Sequence, residues 1–402
     1  MQEFWIYIFV DGHYVKCAKL SITESNFEIK YLDEYLKSNN FIAIDPQNIG
    51  PYPKVFKNED LFGAIRDSAP DYWGRELLNR KFQVTELNEI EYVFANNLEH
   101  VGALAYSPIK YDGPMKLEKD GWVNHKTRKI EIEQIIEQTE LMIKDMDVEQ
   151  LKELFEYGPT LGGRKPKVSL TIDNKLYLAK YGTSLDSMPE QKIEYATMKM
   201  ASDLGLNVPN ILLSKHLERD VFMIERFDRS FLNGNLQRLH FISALSLCDW
   251  HEFGTPDWSY PIFCDYIQKT GNSKEEIAED LRELFRRVAF NIAVNNNDDH
   301  PRNHGLLNRD GIWRLSPLYD VVPKAIKGET FTMAMSLGIY EKEASKRNLL
   351  SSAKYFQLND TEARLLIDEI NEFVQENWKQ YFKDAGVKGS LIKQFENAMK
   401  VK

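Results

Sequence analysis

The segment 294–307, VNNNDDHPRNHGLL, sets two aspartates, two of the eight histidines and four asparagines directly after an apolar helical run. Phosphoryl transfer needs such groups: a carboxylate that orients the attacking hydroxyl and takes its proton, and an amide oxygen and second carboxylate for a divalent cation. Asp298 and Asn303 stand five apart, the spacing this chemistry uses, whereas Asp299 is out of step. A further carboxylate, Asp320, follows in LSPLYDVV after the strand-like GIWRLS, where a cation ligand would be wanted. His300 and His304 are four apart, which on a helix is metal-ligand spacing. A metal-dependent hydrolase built on Asp298, His300, His304 and Asp320 is therefore the competing chemistry. Pro301 argues against it, because the residue before a proline is driven out of the helical region.

Upstream, TLGGRKPKVSL places Gly162 and Gly163 before a strand, with Arg164, Lys165 and Lys167 alongside. Paired glycines let backbone amides approach phosphate, and the cations offset its charge. Lys180 lies on the next predicted strand and Glu194 begins a helix 14 residues later. That is the order of the kinase lysine that holds the phosphates and the helix glutamate that pairs with it. The strand ending IERFD then offers Glu225, Arg226 and Phe227 as a hinge against adenine, with Asp228 in reach of a ribose hydroxyl. A degenerate kinase fold that acts by binding alone is the third reading. The joint presence of Lys180, Asp298, Asn303 and Asp320 argues against it.

The elements that must carry these residues are visible in the hydrophobic pattern. Phe4 to Val10, Asp11-Gly12 and HYVKC read as a hairpin with a type I′ turn. One helix is expected over roughly 60–80, and Glu131 to Glu156 reads as helical and polar. KVSLTI and KLYLAKY flank Asp173-Asn174 as a second hairpin, with Lys180 on the face of Leu176 and Leu178. A third is expected around Glu218, Arg219 and Asp220. Beyond roughly Leu239 the pattern is helical almost throughout. Ser273 and Glu276 have capping-box spacing, ahead of Ile277, Leu281, Leu284, Val288 and Ile292 on one stripe. A last helix carries Ile367, Ile370, Val374, Trp378 and Tyr381 on one face.

Composition sets the limits. A chain of 402 residues, 43% hydrophobic and 28% charged, should fold as two or three lobes with a substantial core. Its net charge of -10 is the wrong sign for a protein held on phosphate backbones. Cys17, Cys248 and Cys264 have neither zinc-site nor disulfide-framework spacing, and fit a reducing cytoplasm as small packing residues. The longest early apolar run, Phe4 to Val10, is too short for a membrane span and lacks the flanks of a secretory signal.

Taken in order, LGGRKPKVSL, YLAKY, IEYATMKMASDLGLNVP, IERFDR, NNNDDHPRNHGLL and LSPLYDVV resemble the HipA family of serine/threonine kinase toxins, and FGAIRDSAPDYWGRELL resembles the end of that family's N-terminal subdomain. The resemblance implies an α+β, two-lobed protein-kinase-like fold. Residues 1–110 would form a β-rich N-terminal subdomain, 111–150 a helical connector, 151–235 the kinase N-lobe and 236–402 an all-helical C-lobe. It further implies phosphorylation of a protein on Ser or Thr with ATP and Mg2+, and neutralisation by a HipB-like DNA-binding antitoxin through which any operator DNA would be contacted. Carried over by motif, Asp298 is the catalytic base and His300 its support; Asn303 and Asp320 are the magnesium ligands. Gly162, Gly163, Lys167, Lys180, Glu225, Phe227 and Asp228 line the nucleotide. Glu194 pairs with the lysine, and Thr160 is the candidate for inactivating autophosphorylation.

Overall fold

The structure is a computed structural model that describes residues 1–96, 98, 100–110, 113–124, 131–144, 154, 165–252, 257–270, 272–325 and 331–399. Thr160, Gly162 and Gly163 lie outside the described residues. The chain divides into two compact units. One comprises Met1–Asp186, Lys215–Ile242 and Leu307–Ile312; the other comprises Ser187–Ser214, Ser243–Leu306 and Trp313–Lys402.

In the first unit, Gln2–Val10 and His13–Ile22 form the expected hairpin, with Asp11 and Gly12 at φ 49° and 85°, as a type I′ turn requires. Phe27–Tyr31 and Val55–Asn58 extend this antiparallel sheet on one side and Leu104–Ser107 on the other. The helix expected over 60–80 is two helices, Gly63–Arg66 and Tyr72–Phe82. Pro70 breaks it, by restricting Ala69 and supplying no N–H. Asp71 then caps the new start, accepting from the Gly74 amide at 3.2 Å.

A second sheet pairs Lys167–Ile172 with Lys175–Tyr181 through a turn at Asp173 and Asn174, both at positive φ, and pairs Lys175–Tyr181 with Arg219–Glu225. Ile211–His216 leads into this last strand through a turn at Leu217 and Glu218, one residue earlier than expected. Val168, Leu170, Tyr177, Ala179, Tyr181, Val221 and Met223 share one face, packed with Leu77 and with Ile132, Ile135 and Ile136 of the helix Ile132–Ile143. The opposite face carries Lys180, cross-strand from both Lys167 and Phe222.

The second unit is mainly helical. Lys274–Ala293 begins with the full capping box, Ser273 and Glu276 each bonding the other's backbone amide. Leu281, Leu284, Val288 and Ile292 are buried on its inner stripe. Asp360–Asp384 buries Ile367, Ile370, Val374 and Trp378, while Tyr381 donates to Asp203 at 2.8 Å. That bond and the Arg286 guanidinium, on the carbonyls of Leu204 and Gly205, secure the C-terminal end of Glu190–Asp203 within this unit. Past Leu239 the chain is not helical throughout, because Gly305–Arg309 and Ile312–Leu315, which include the first unit's segment Leu307–Ile312, are strands. Their turn at Asp310 and Gly311 has both residues at positive φ.

Candidate active site

Consecutive asparagines end the helix Lys274–Ala293. Asn295 takes the left-handed conformation at φ 60°, its amide bonding the Ile292 carbonyl at 3.2 Å and that of Asn296 the Asn291 carbonyl at 2.8 Å. This is a Schellman stop, with asparagine in place of the usual glycine. The chain beyond it turns at once: the Asp298 carbonyl accepts from the His300 amide at 2.9 Å and from Asn303 Nδ2 at 3.0 Å, and the Asn303 amide closes on the His300 carbonyl at 2.8 Å. Pro301–Asn303 is a single 3-10 turn, so His300 and His304 do not share a helical face. The hydrolase reading loses its geometric basis.

The two adjacent aspartates have opposite environments. Asp298 is exposed, whereas Asp299 is 1% exposed and His304 fully buried. Asp299 accepts from the Tyr260 hydroxyl and from Asn291 Nδ2 at 2.7 Å, and faces His304 Nε2 at 2.9 Å. Burial alone would raise its pKa; His304 and the Tyr260 hydroxyl outweigh that and hold it below the usual carboxylate range. The same burial and the neighbouring carboxylate push the Tyr260 hydroxyl well up.

Asp320 is fastened to this loop through its flanks. Tyr319 donates its hydroxyl to the Arg302 carbonyl at 2.7 Å, and the Lys324 amide bonds the Asn295 carbonyl at 3.1 Å. Asp320 itself sits at φ 61°, a conformation aspartate tolerates better than most side chains. The second unit thus brings Asp298, His300, Asn303 and Asp320 onto one stitched segment. Glu194 is in the same unit, buried on the helix Glu190–Asp203.

The remaining candidates belong to the first unit. Lys180 is half-buried on its central strand. Lys167 is 1% exposed, its ammonium 3.0 Å from Asp71. Two lysines directly opposite on adjacent strands repel; the Asp71 carboxylate offsets one of the charges. Lys167 is thereby engaged inside the protein rather than presented to a nucleotide. Glu225 pairs with Lys175 at 2.9 Å beside Tyr177, its cross-strand neighbour. The Phe227 ring packs 5.7 Å from that of Phe241. Asp228, expected at a ribose, is 2% exposed: its carboxylate accepts from Arg226 at 2.9 and 3.0 Å, Arg229 at 2.7 Å and the Gly102 amide at 2.8 Å. Burial would raise its pKa, but the two guanidiniums hold it far below the usual range. With all these donors on it, Asp228 ties the first unit together.

Sequence reasoning missed the partners of Asp299 and of Asp228. A doubled aspartate with only one member in step, and an aspartate flanked by arginines in ERFDR, are the local signals. One partner of each, though, comes from far along the chain: Tyr260 is 39 residues from Asp299 and Gly102 is 126 from Asp228.

A family model, the HipA-like C-terminal domain, matches residues 159–378, more than half of the chain and including every candidate named above. The chain belongs to the HipA-like family. A Haemophilus influenzae protein named “Putative kinase” is 24% identical over 253 residues, which are 59% of this chain and 70% of that relative. The serine/threonine-protein kinase toxin HipA of Shewanella oneidensis is 23% identical over 278 residues, 63% of this chain and 60% of the relative. Among solved structures, HipA from the Shewanella oneidensis MR-1 complex with HipB and operator DNA superposes with a TM-score of 0.65 at 15% identity, covering 98% of this chain and 96% of that one. The HipA-like chain therefore has a two-lobed, kinase-like α+β fold. Among its described residues no helix is long and apolar enough to cross a membrane, and no group of three or more His, Cys, Asp or Glu side chains could hold a metal ion.

Proposed function

We propose that this HipA-like protein is an ATP- and Mg2+-dependent serine/threonine protein kinase, the toxin of a pair completed by a HipB-like antitoxin. The observation that supports it most is the 298–303 turn. It presents the Asp298 carboxylate to solvent while the Asn303 amide donates its Nδ2 inward to the Asp298 carbonyl, which leaves the Asn303 Oδ1 as the atom to ligate a cation. Asn303 and Asp320 offer oxygen donors only, the set a hard cation such as Mg2+ takes. When bound there, Mg2+ neutralises charge on the phosphates. Asp298 orients the attacking hydroxyl and accepts its proton, and the turn fixes its backbone while it does so. His300 supports that turn through its backbone. Lys180 contacts phosphate, and Glu225 and Phe227 contact adenine. Lys167 and Asp228 are left out of the nucleotide contacts, because Asp71 and the arginine pair engage them.

Binding of ATP measured by calorimetry, and transfer from radiolabelled ATP to a generic protein acceptor or to the chain itself, test this reading. Wild type should bind ATP more tightly with Mg2+, and Asp320→Asn, chosen because asparagine keeps the positive φ, should lose that increment. Asp298→Asn should keep nucleotide binding and lose about 10²–10⁴-fold in transfer. Undiminished transfer by Asp298→Asn overturns the assignment. Thr160 remains the proposed autophosphorylation residue, read by intact mass after incubation with ATP. The antitoxin proposal is tested by co-purification with the chain encoded alongside; operator DNA should be retained by the pair and not by the HipA-like chain alone.

A further inference from the structure

Asp299, out of step for the chemistry, is a buried carboxylate held by partners on two sides, and what it engages runs toward Asp298 and Asn303. On one side it takes the Tyr260 hydroxyl and faces His304. On the other it takes Asn291 Nδ2 at 2.7 Å; Asn291 Oδ1 accepts from Asn296 Nδ2 at 3.0 Å, and Asn296 Oδ1 accepts from the Asp298 amide at 3.4 Å. All five side chains in this path, Tyr260, His304, Asp299, Asn291 and Asn296, are at most 1% exposed. Each asparagine gives its N–H2 toward Asp299 and its carbonyl oxygen toward Asp298. The carboxylate, which can only accept, thus sets the orientation of both amides. The path ends on the backbone N–H of Asp298, whose carbonyl, on the other side of the Cα, is held by Asn303 Nδ2.

Reliance on one anion follows from this polarity. A neutral amide at 299 must turn its NH2 toward one of the donors that now converge there, leaving a buried donor unpaired or forcing Asn291 to flip. A flipped Asn291 would present NH2 to Asn296, and the second amide would have to flip in turn, setting an NH2 against the Asp298 N–H. The error propagates to the backbone that aims Asp298 and Asn303. His304, wedged at 5.7 and 6.1 Å from the rings of Tyr260 and Phe263, backs the carboxylate from the far side.

We infer that Asp299 is a positioning residue: through the Asn291 and Asn296 amides it fixes the Asp298 peptide, and so the geometry of transfer, without touching nucleotide or acceptor. The inference rests on the kinase reading and deepens it.

The test uses the full chain as wild type, Asp299→Asn, Tyr260→Phe and Asn296→Ala, with ATP affinity and binding stoichiometry from calorimetry and kcat and KM from phosphate transfer. Asp299→Asn should keep one ATP per chain with Kd and KM for ATP within about twofold, while kcat falls about 100-fold, as loss of orientation in the reacting state predicts. Tyr260→Phe, which keeps the charge and removes one donor, should lose less than tenfold. Asn296→Ala, which cuts the path near Asp298, should lower kcat with little effect on KM even if Asp299→Asn does not fold. A merely structural role would instead lower the ATP stoichiometry and kcat in the same proportion, and that outcome, or unchanged kcat in both Asp299→Asn and Asn296→Ala, overturns the inference while the kinase reading stands. Absence of transfer by wild type removes the kinase reading and this inference together.

Discussion

Arg226 and Arg229 are each at most 5% exposed, and the carboxylate between them in sequence is Asp228. The guanidiniums also bond the carbonyls of His100 and Gly102, so two stretches of the first unit, far apart in sequence, meet on one anion. Gly102 is favoured at this point, since its φ of +84° is one that L side chains rarely adopt and a Cβ would crowd the Phe241 amide at 3.3 Å. Removing one partner of a buried ion pair costs far more than the pair contributes, because the remaining charges stay buried without compensation. Asp228→Ala should therefore destabilise the first unit by about 3–5 kcal/mol, read as a lowered urea midpoint. A loss under about 1 kcal/mol, the range of an exposed pair, would show that the cluster is solvated in solution. The contrast with Asp298 is one of placement: the carboxylate proposed to act outward is exposed, and those that hold the frame are not.

At the scale of elements, what the sequence makes legible is what local chemistry decides. The turns at Asp11-Gly12 and Asp173-Asn174 are readable because few other pairs tolerate positive φ at both positions, and both turns are present. The Ser273–Glu276 box is readable because its two bonds lie within four residues. Ser273→Ala should cost about 1 kcal/mol of stability, seen as a shifted denaturation midpoint at constant slope, with phosphate transfer per folded molecule unchanged. A loss of transfer beyond that of folded protein would mean the helix start is coupled to the loop at its other end. The order of blocks along the chain also carries the two-lobed fold. The break at Pro70, by contrast, is hidden by an apolar periodicity that continues through it from Gly63 to Phe82. The floor beneath the 298–303 turn is hidden for another reason: Tyr260 stands on an otherwise apolar helix face and Asn291 one turn after the buried Arg287, and only the packed structure shows that both point at Asp299.

At the scale of the whole molecule, buried neutral histidines set how folding responds to acid. His240 is 2% exposed, its Nε2 2.9 Å from the Ile44 carbonyl; burial lowers its pKa from 6.5 to about 4, with the Asp67 charge opposing weakly. Burial likewise lowers His100 to about 3, helped by the charges of Arg229, Arg238 and Arg226. Below pH 6.5 the unfolded chain therefore takes up protons at these histidines that the folded chain refuses, so both stabilise at neutral pH and both contributions fade as pH falls toward about 4. Asp45 acts in the opposite sense: burial raises it from 3.8 to about 6, so in this window the folded chain holds a proton that the unfolded chain has released. Among these three groups, two histidines against one aspartate leave the unfolded chain ahead by about one proton near pH 5, a contribution of about 1.4 kcal/mol lost per pH unit. His240→Gln keeps a side-chain N–H for the Ile44 carbonyl and removes one of the two titrations. Stability measured by urea denaturation between pH 4.5 and 6 should thus fall with acid more steeply in wild type than in His240→Gln, the slopes differing by about one proton. Parallel curves would mean that His240 is protonated in the folded protein, with Asp67 rather than burial deciding its charge.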